Sequence, residues 1–174
     1  MSHRLFGTDG VRGKAGEFPL DHETVARLGA ALVRAMRAEG RQLRFIAGRD
    51  TRESGEWIER ELARGVRAEG AHITTAGVLP TPAVAYVTRE MGYDAGLVIS
   101  ASHNPFQDNG IKVFSGRGEK FSETLERQVE AIIADQSWSV GGSAASGSPS
   151  TPRTARRRRW RRGCSRSWAS RSAC

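Results

Sequence analysis

Ser102 is the residue whose type and position most clearly suggest chemistry. It follows a continuous apolar run over residues 95–99, which is typical of a buried strand, and it lies among turn-forming residues. A hydroxyl in such a loop can be displayed at the edge of a sheet, although an ordinary turn requires the same composition. The chain around it has no Gly-x-Ser-x-Gly sequence and no clear acid–histidine pair, which disfavours acyl-transfer hydrolase chemistry.

Side chains that could carry positive charge or move a proton occur close to Ser102 in the sequence. His103 is its neighbour, but adjacent side chains need not face each other, and a loop hydrogen-bonding role is an equal alternative. Lys112 lies between Ile111 and Val113, so the two-residue period of a strand turns it to the opposite face. It could neutralise a phosphate or transfer a proton there, whereas an isolated strand lysine is more often solvated.

The N-terminal segment 7–13 is the best candidate for phosphate recognition. Its three glycines let backbone N–H groups approach an anion, and Arg12 can make forked contacts with phosphate oxygens. The segment is not a Gly-x-x-x-x-Gly-Lys-Ser/Thr loop, so a nucleotide site of that kind is not predicted. A second polar turn, 48–52, carries Arg49 and Arg52 around an aspartate, and a surface ion pair is the favoured interpretation.

Apolar periodicity predicts the elements that must position these residues. Helices are predicted at 22–39, 56–69, 81–91 and 122–134, and strands at 43–47, 71–78, 95–99 and 111–114. Asp21 and Ser122 are the expected N-caps. Alternating strands and helices predict an α/β fold with a largely parallel sheet, and the last strand, which follows without a crossover helix, is expected to pair antiparallel. Ligands bind beyond the carboxyl ends of such strands, where the polar turns would build one site if they converge.

The charge of the chain is unevenly distributed. Of 174 residues, 27 are Lys or Arg and 19 are Asp or Glu, a net charge of +8. Residues 1–140 are nearly neutral, while residues 141–174 contain nine arginines and no acid, so the composition of the body implies no nucleic-acid partner. The body also lacks cysteine, which excludes a disulfide framework or a zinc–thiolate site there. No signal peptide or membrane span is predicted, and a cytoplasmic protein is expected.

The C-terminal segment differs in kind from the rest. Residues 141–174 contain no Val, Ile, Leu, Met or Phe, so they cannot bury enough apolar surface to offset ordering. We therefore predict a folded domain over residues 1–138 and a disordered Arg/Ser/Ala-rich tail over 139–174. The tail is either an arginine-rich nucleic-acid-binding arm or, as the abrupt change in composition favours, an out-of-frame translation of a GC-rich gene.

Several motifs together carry a resemblance to a known family. The sequences FGTDGVRG at 6–13, GRDTR at 48–52, Thr-Pro at 81–82, ISASHNP at 99–105 and DNGIK at 108–112 occur in this order. In these motifs the chain resembles the bacterial phosphoglucosamine mutases of the α-D-phosphohexomutase family. The resemblance implies a three-layer α/β/α domain with a mixed, mostly parallel sheet, and it covers about residues 5–135.

The resemblance also implies roles for individual residues. Ser102 matches the serine that carries the catalytic phosphoryl group and, through that phosphate, helps to bind Mg²⁺. His103 and Lys112 match residues that assist proton transfer, and Arg12 matches an arginine that supports the phosphoserine loop. The implied reaction converts the phosphosugar glucosamine 6-phosphate to glucosamine 1-phosphate through a bisphosphorylated sugar. Phosphoryl transfer of this kind needs positioning and neutralisation of negative charge, which a serine near cationic groups can meet.

The resemblance covers only the first of the four domains that these enzymes have. An Asp-Gly-Asp-x-Asp metal loop is absent from the chain, so Mg²⁺ would lack most of its ligands and the polypeptide alone is predicted to be inactive. The alternatives are a phosphomannomutase/phosphoglucomutase fragment, an arginine-tailed nucleic-acid-binding module, or a non-functional truncated product. The oligomeric state stays open.

Overall fold

A computed structural model describes residues 5–39 and 41–141 of the chain. These residues form five strands, β1 (Val11–Lys14), β2 (Arg44–Arg49), β3 (His72–Val78), β4 (Ala95–Ile99) and β5 (Asp108–Ser115), and four helices, α1 (His22–Met36), α2 (Ser54–Ala68), α3 (Thr81–Glu90) and α4 (Glu123–Ala134). Every predicted helix and strand is present. Strand β1 lies where the glycine-rich sequence predicts a polar turn, so this strand differs from the prediction.

The five strands form one mixed sheet in the order β1-β5-β4-β2-β3. Strand β2 pairs parallel with both β3 and β4, whereas β5 pairs antiparallel with β4 on one side and β1 on the other. Within the described sheet, β5 therefore runs against the other four strands. The predicted antiparallel pairing of the strand without a crossover helix is confirmed, and so is the mixed, mostly parallel sheet.

Helices cover both faces of the sheet, which gives the predicted three layers. Alternate strand residues point to opposite faces, so that Phe45 packs in the main core with α1, α2 and α4, while Ile46 packs in a smaller cluster with Val84 of α3. The central strand β4 is buried along its whole length, as its uninterrupted apolar sequence predicts. No helix in the described part of the chain is long and apolar enough to cross a bilayer.

Side-chain caps define where two of the helices begin. The Asp21 carboxylate accepts a hydrogen bond from the Thr24 amide at 2.9 Å, and the Ser122 hydroxyl accepts one from the Leu125 amide at 3.4 Å. Both predicted N-caps are therefore confirmed. The end of α1 differs from the prediction, because the helix stops at Met36 and the backbone of the next residue is extended.

A buried arginine holds the end of the described chain against α1. Arg27 is 6% exposed and donates hydrogen bonds to the carbonyls of Ile133, Asp135 and Trp138, and its guanidinium stacks on the Trp138 ring at 4.3 Å. The folded structure therefore extends at least to Trp138. Most of the predicted tail lies outside the described residues, so its disorder stays a prediction.

Candidate active site

The polar turns predicted to form one site do meet at one edge of the sheet. Because β2 and β4 are parallel neighbours, their carboxyl ends lie side by side, and the Asp50 amide donates to the Ile99 carbonyl at 3.0 Å. The Ser100 amide donates to the Gly110 carbonyl at 2.9 Å, and Gly110 is the register partner of Arg12. Three strand ends and the loop 100–107 thus form a continuous surface.

The backbone of the loop displays Ser102 to solvent. Strand β4 ends at Ile99 as predicted, Ala101 is fully buried, and Ser102 is exposed. Ser102 has φ +57°, the single left-handed non-glycine residue of the described chain, and its amide donates to the Ser100 hydroxyl at 3.1 Å. Strained backbone of this kind occurs at functional sites when surrounding contacts hold it in place.

His103 and Ser102 do face each other, although sequence adjacency alone did not require it. The Ser102 Oγ lies 3.4 Å from the Nδ1 of His103, and both side chains are exposed. Whether the imidazole nitrogen donates or accepts depends on its tautomer. With Nδ1 unprotonated the ring accepts from the hydroxyl, and with Nδ1 protonated it donates to the hydroxyl oxygen.

Arg12 reaches the loop from the neighbouring strand β1. Its Nη1 lies 3.4 Å from the Oδ1 of Asn104, and its Nη2 forms an ion pair with Asp9 at 3.2 Å. The Nε is buried and has no hydrogen-bond partner within the described structure. Gly110 permits this approach, because a Cβ there would lie 2.9 Å from the Ser100 carbonyl and 3.1 Å from the Arg12 Cγ.

The N-terminal glycines serve chain packing, which corrects their interpretation as an open anion-binding turn. The Gly7 amide donates to the Gly10 carbonyl at 2.9 Å, so this N–H is not available to a ligand. Gly10 has φ +95°, and a Cβ there would lie 2.2 Å from the Ile111 carbonyl. These contacts let the segment enter strand β1 directly beside β5.

Lys112 faces the side of the sheet opposite to Ile111 and Val113, as predicted. Both apolar neighbours are buried in the main core, whereas Lys112 pairs in register with Val98 on the α3 side. It lines a cavity of about 160 Å³ together with Thr81 and Lys120. Ser102 lines a different cleft, so the described residues do not bring Lys112 and Ser102 into one cavity.

Arg52 is the functional candidate that sequence reasoning missed. The predicted ion pair with Asp50 exists at 3.1 Å, but the Arg52 side chain is only 13% exposed and is not a surface group. Its guanidinium donates to main-chain carbonyls of the loop that carries Ser102. Arg49 lies elsewhere, 3.4 Å from the buried carboxylate of Glu59. The GRDTR motif at the end of β2 is visible in the sequence, whereas the contacts of Arg52 with the loop are not.

A cleft of about 940 Å³ opens beside the Ser102 loop. Its walls combine polar groups from the ends of β2 and β4 with two aromatic side chains, Trp57 and the 81%-exposed Phe106. Lys14 and Arg52 also line it, but both are engaged in the described structure, Lys14 in an ion pair with Glu17 and Arg52 in one with Asp50. The volume is in the range of sites that bind small molecules.

The residues present do not form a magnesium site by themselves. No group of three His, Cys, Asp or Glu side chains placed to hold a metal occurs within residues 5–39 and 41–141. The carboxylates near the loop are engaged, Asp50 with Arg52 and Asp108 with Asn104. Ser102 could supply one oxygen through a phosphate, whereas Mg²⁺ requires octahedral coordination. We therefore assign no chemical step to the ion.

Comparison with known proteins identifies relatives of the whole domain. The family described as Phosphoglucomutase/phosphomannomutase, alpha/beta/alpha domain I, matches residues 3–139. A phosphoglucosamine mutase of Koribacter versatilis is 52% identical over 130 residues, which is 75% of this chain and 28% of that protein. A phosphoglucosamine mutase of Deinococcus deserti is 52% identical over 134 residues, covering 76% of this chain and 30% of that protein.

A solved structure agrees with this result. The crystal structure of a phosphoglucomutase/phosphomannomutase family protein from Burkholderia thailandensis has a TM-score of 0.66 and 29% identity, covering 81% of this chain and 32% of that one. The chain spans about three tenths of the length of the curated relatives it matches. The similarity therefore concerns a single domain of those proteins.

Proposed function

Because this chain belongs to the phosphoglucomutase/phosphomannomutase family through its α/β/α domain I, we propose that it is the phosphoserine domain of a phosphoglucosamine mutase. The observation that carries the proposal is the exposed, left-handed Ser102 at the end of β4, between His103 and the arginines of two neighbouring segments. In the proposed reaction, glucosamine 6-phosphate and glucosamine 1-phosphate interconvert through glucosamine 1,6-bisphosphate.

Ser102 is the proposed carrier of the phosphoryl group. One half-reaction starts from phosphorylated Ser102: a sugar hydroxyl attacks phosphorus and gives up its proton, the bond from phosphorus to the Ser102 Oγ breaks, and the Oγ takes up a proton. The second half-reaction reverses these steps at the other end of the sugar, with the serine oxygen as the attacking group. The His103 Nδ1 lies 3.4 Å from the Oγ, so His103 is the proposed donor of the serine proton in this half-reaction and its acceptor in the second. Arg12 contributes positive charge next to the loop.

Lys112 keeps its proposed role in proton transfer or charge neutralisation, but a contact with Ser102 is not required for it. Lys112 lies on β5, and Ser102 follows the end of the neighbouring strand β4. In the register of these two strands, Lys112 pairs with Val98 and Ile111 pairs with Ile99. A phosphosugar that bridges the two cavities could meet both groups. The proposed Mg²⁺ would need further ligands from outside the described residues, and the 174-residue chain alone is proposed to have no mutase turnover.

The first test is the phosphorylation of Ser102. Because the chain alone is proposed to have no turnover, its residues 5–138 are joined to the remaining domains of the Deinococcus deserti relative. The purified chimera is incubated with glucosamine 1,6-bisphosphate, and the phosphate is located by phosphopeptide mass spectrometry. We expect a single phosphate on Ser102, no phosphate in Ser102→Ala, and normal labelling in Ser115→Ala, since Ser115 lies at the far end of β5. Phosphate on other serines at equal yield would contradict the proposed carrier.

A chimera tests the reaction itself. Residues 5–138 replace the matching part of the Deinococcus deserti relative, and conversion of glucosamine 6-phosphate is measured. We expect turnover that Ser102→Ala abolishes, a loss of at least about 10³-fold, because the phosphoryl carrier is removed. A chimera that folds and retains its other domains but is inactive with Ser102 present would contradict the proposal.

A further inference from the structure

One largely buried side chain, that of Arg52, binds four main-chain carbonyl groups in and directly after the loop that displays Ser102. The Arg52 guanidinium donates four hydrogen bonds of 2.6 to 3.0 Å to the main-chain oxygens of Ser102, Asn104, Pro105 and Asp108. We propose that Arg52 is a positioning residue that sets the conformation of this loop and thereby aims the Ser102 hydroxyl. This inference rests on the proposed function of Ser102 as the phosphoryl carrier.

Arg52 is itself held in a fixed orientation. Its Nε donates to the Asp50 Oδ2 at 3.1 Å, and its own amide donates to the Asp50 Oδ1 at 3.0 Å. The Asp50 amide in turn donates to the Ile99 carbonyl at the end of β4. The guanidinium is therefore attached, through Asp50, to the point where the parallel strands β2 and β4 end side by side.

The geometry requires an arginine rather than another cation. Four carbonyl oxygens that point towards one centre repel each other unless a positive group lies between them, and planar guanidinium N–H groups can serve several acceptors at once. The ammonium group of a lysine is a point donor and cannot reach Asp50 and the four carbonyls together. An Arg52→Lys substitution therefore keeps the positive charge but removes the simultaneous hydrogen bonds to Asp50 and the four carbonyls.

The loop needs such an anchor because its own hydrogen bonds are few. Within it, the Asn104 amide donates to the Ala101 carbonyl at 3.2 Å and the Asp108 amide to the Pro105 carbonyl at 3.1 Å. Ser102 is held at φ +57°, which is unfavourable for a residue with a Cβ. The bond from Arg52 to the Ser102 carbonyl fixes the peptide that follows this residue. Arg12, by contrast, contacts the loop through the Asn104 side chain.

Hydrogen exchange and NMR of the 174-residue chain test the anchor directly. In Arg52→Lys, we expect amide exchange over residues 101–108 to rise about tenfold or more, because charged hydrogen bonds to the loop are lost. The Cα and Cβ shifts of Ser102 should move towards random-coil values, while α1 and α4 keep their protection. Arg49→Lys is the matched control, since Arg49 bonds Glu59 and not the loop. Unchanged loop exchange and unchanged Ser102 shifts in a folded Arg52→Lys would overturn the proposal.

A second variant covers the case in which Arg52→Lys does not fold. Asp50→Asn keeps the shape of the partner that orients Arg52 but removes its charge, and we expect loop exchange to rise about threefold. No change in Asp50→Asn would also overturn the proposal.

The consequence for chemistry is measured separately. In the chimera, the rate of Ser102 phosphorylation by glucosamine 1,6-bisphosphate should fall about tenfold or more in Arg52→Lys. The concentration of bisphosphate that gives half the maximal rate should change little, because positioning rather than binding is lost. A normal rate in a variant with a loosened loop would contradict the positioning role. If the chimera with Arg52 unchanged takes up no phosphate, the proposed function fails, and the exchange and NMR results still decide whether Arg52 anchors the loop.

Discussion

Replacing Gly65 by alanine should separate two helices that pack unusually closely. Helices α1 and α2 contact each other at Gly29 of α1 and Gly65 of α2. A Cβ on Gly65 would lie 1.9 Å from the Ala26 carbonyl oxygen and 2.8 Å from the Ala30 amide nitrogen, and a Cβ on Gly29 would lie 2.4 Å from the Leu62 carbonyl oxygen. All these contacts are with rigid helix backbone, so no flexible side chain can move aside.

The distances set the size of the effect. Moving from 1.9 Å to the 3.4 Å of ordinary contact requires a shift of about 1.5 Å between the helices. The fully buried Val25, Leu28 and Leu32 of α1 would then lose part of their packing. Overpacking of this kind costs about 1–3 kcal/mol or more, and the better helix propensity of alanine returns about 1 kcal/mol. We expect Gly65→Ala to lower the free energy of unfolding by about 2 kcal/mol.

Urea denaturation followed by circular dichroism measures this change. The matched control is Gly55→Ala in the same helix, where the nearest atom to a new Cβ is the flexible Arg49 Cδ at 3.3 Å. Its free energy of unfolding should stay within about 0.5 kcal/mol of the unmodified chain or rise. Equal stabilities of Gly65→Ala and Gly55→Ala would refute the close helix contact.

Two further predictions concern the neighbourhood of the site. Burial raises the pKa of the Glu59 carboxyl although the Arg49 charge opposes it, so the folded chain holds this proton to higher pH than the unfolded chain. The free energy of unfolding should therefore fall as pH rises from the usual glutamate range, and urea midpoints between about pH 4 and 8 should show a flatter dependence in Glu59→Gln; an identical slope would contradict this. Ser102→Gly should raise the free energy of unfolding by about 1 kcal/mol, because glycine adopts φ +57° without strain, and it should take up no phosphate. A loss of stability in that variant would show that Ser102 is not strained.

Some parts of the site could be predicted because their signals are local. The apolar run before Ser100 identified β4 and its end, and the exposure of Ser102 follows from where that strand stops. Alternation placed Lys112 opposite Ile111, since neighbouring strand residues must face opposite ways. Capping residues also marked the starts of α1 and α4, because each cap accepts a hydrogen bond from an amide only three residues away.

The sequence by itself therefore determined the elements, the family resemblance and the identity of the displayed serine, since each depends on residues close together in the chain. Only the tertiary structure decided that Val11–Lys14 is a strand, because that short segment becomes one by pairing with the edge of β5. The same holds for Arg52, whose acceptors lie 50 to 56 residues further along the chain. An arginine in a polar turn has no local feature that separates a solvated ion pair from a buried anchor, and the difference arises when the strand ends converge.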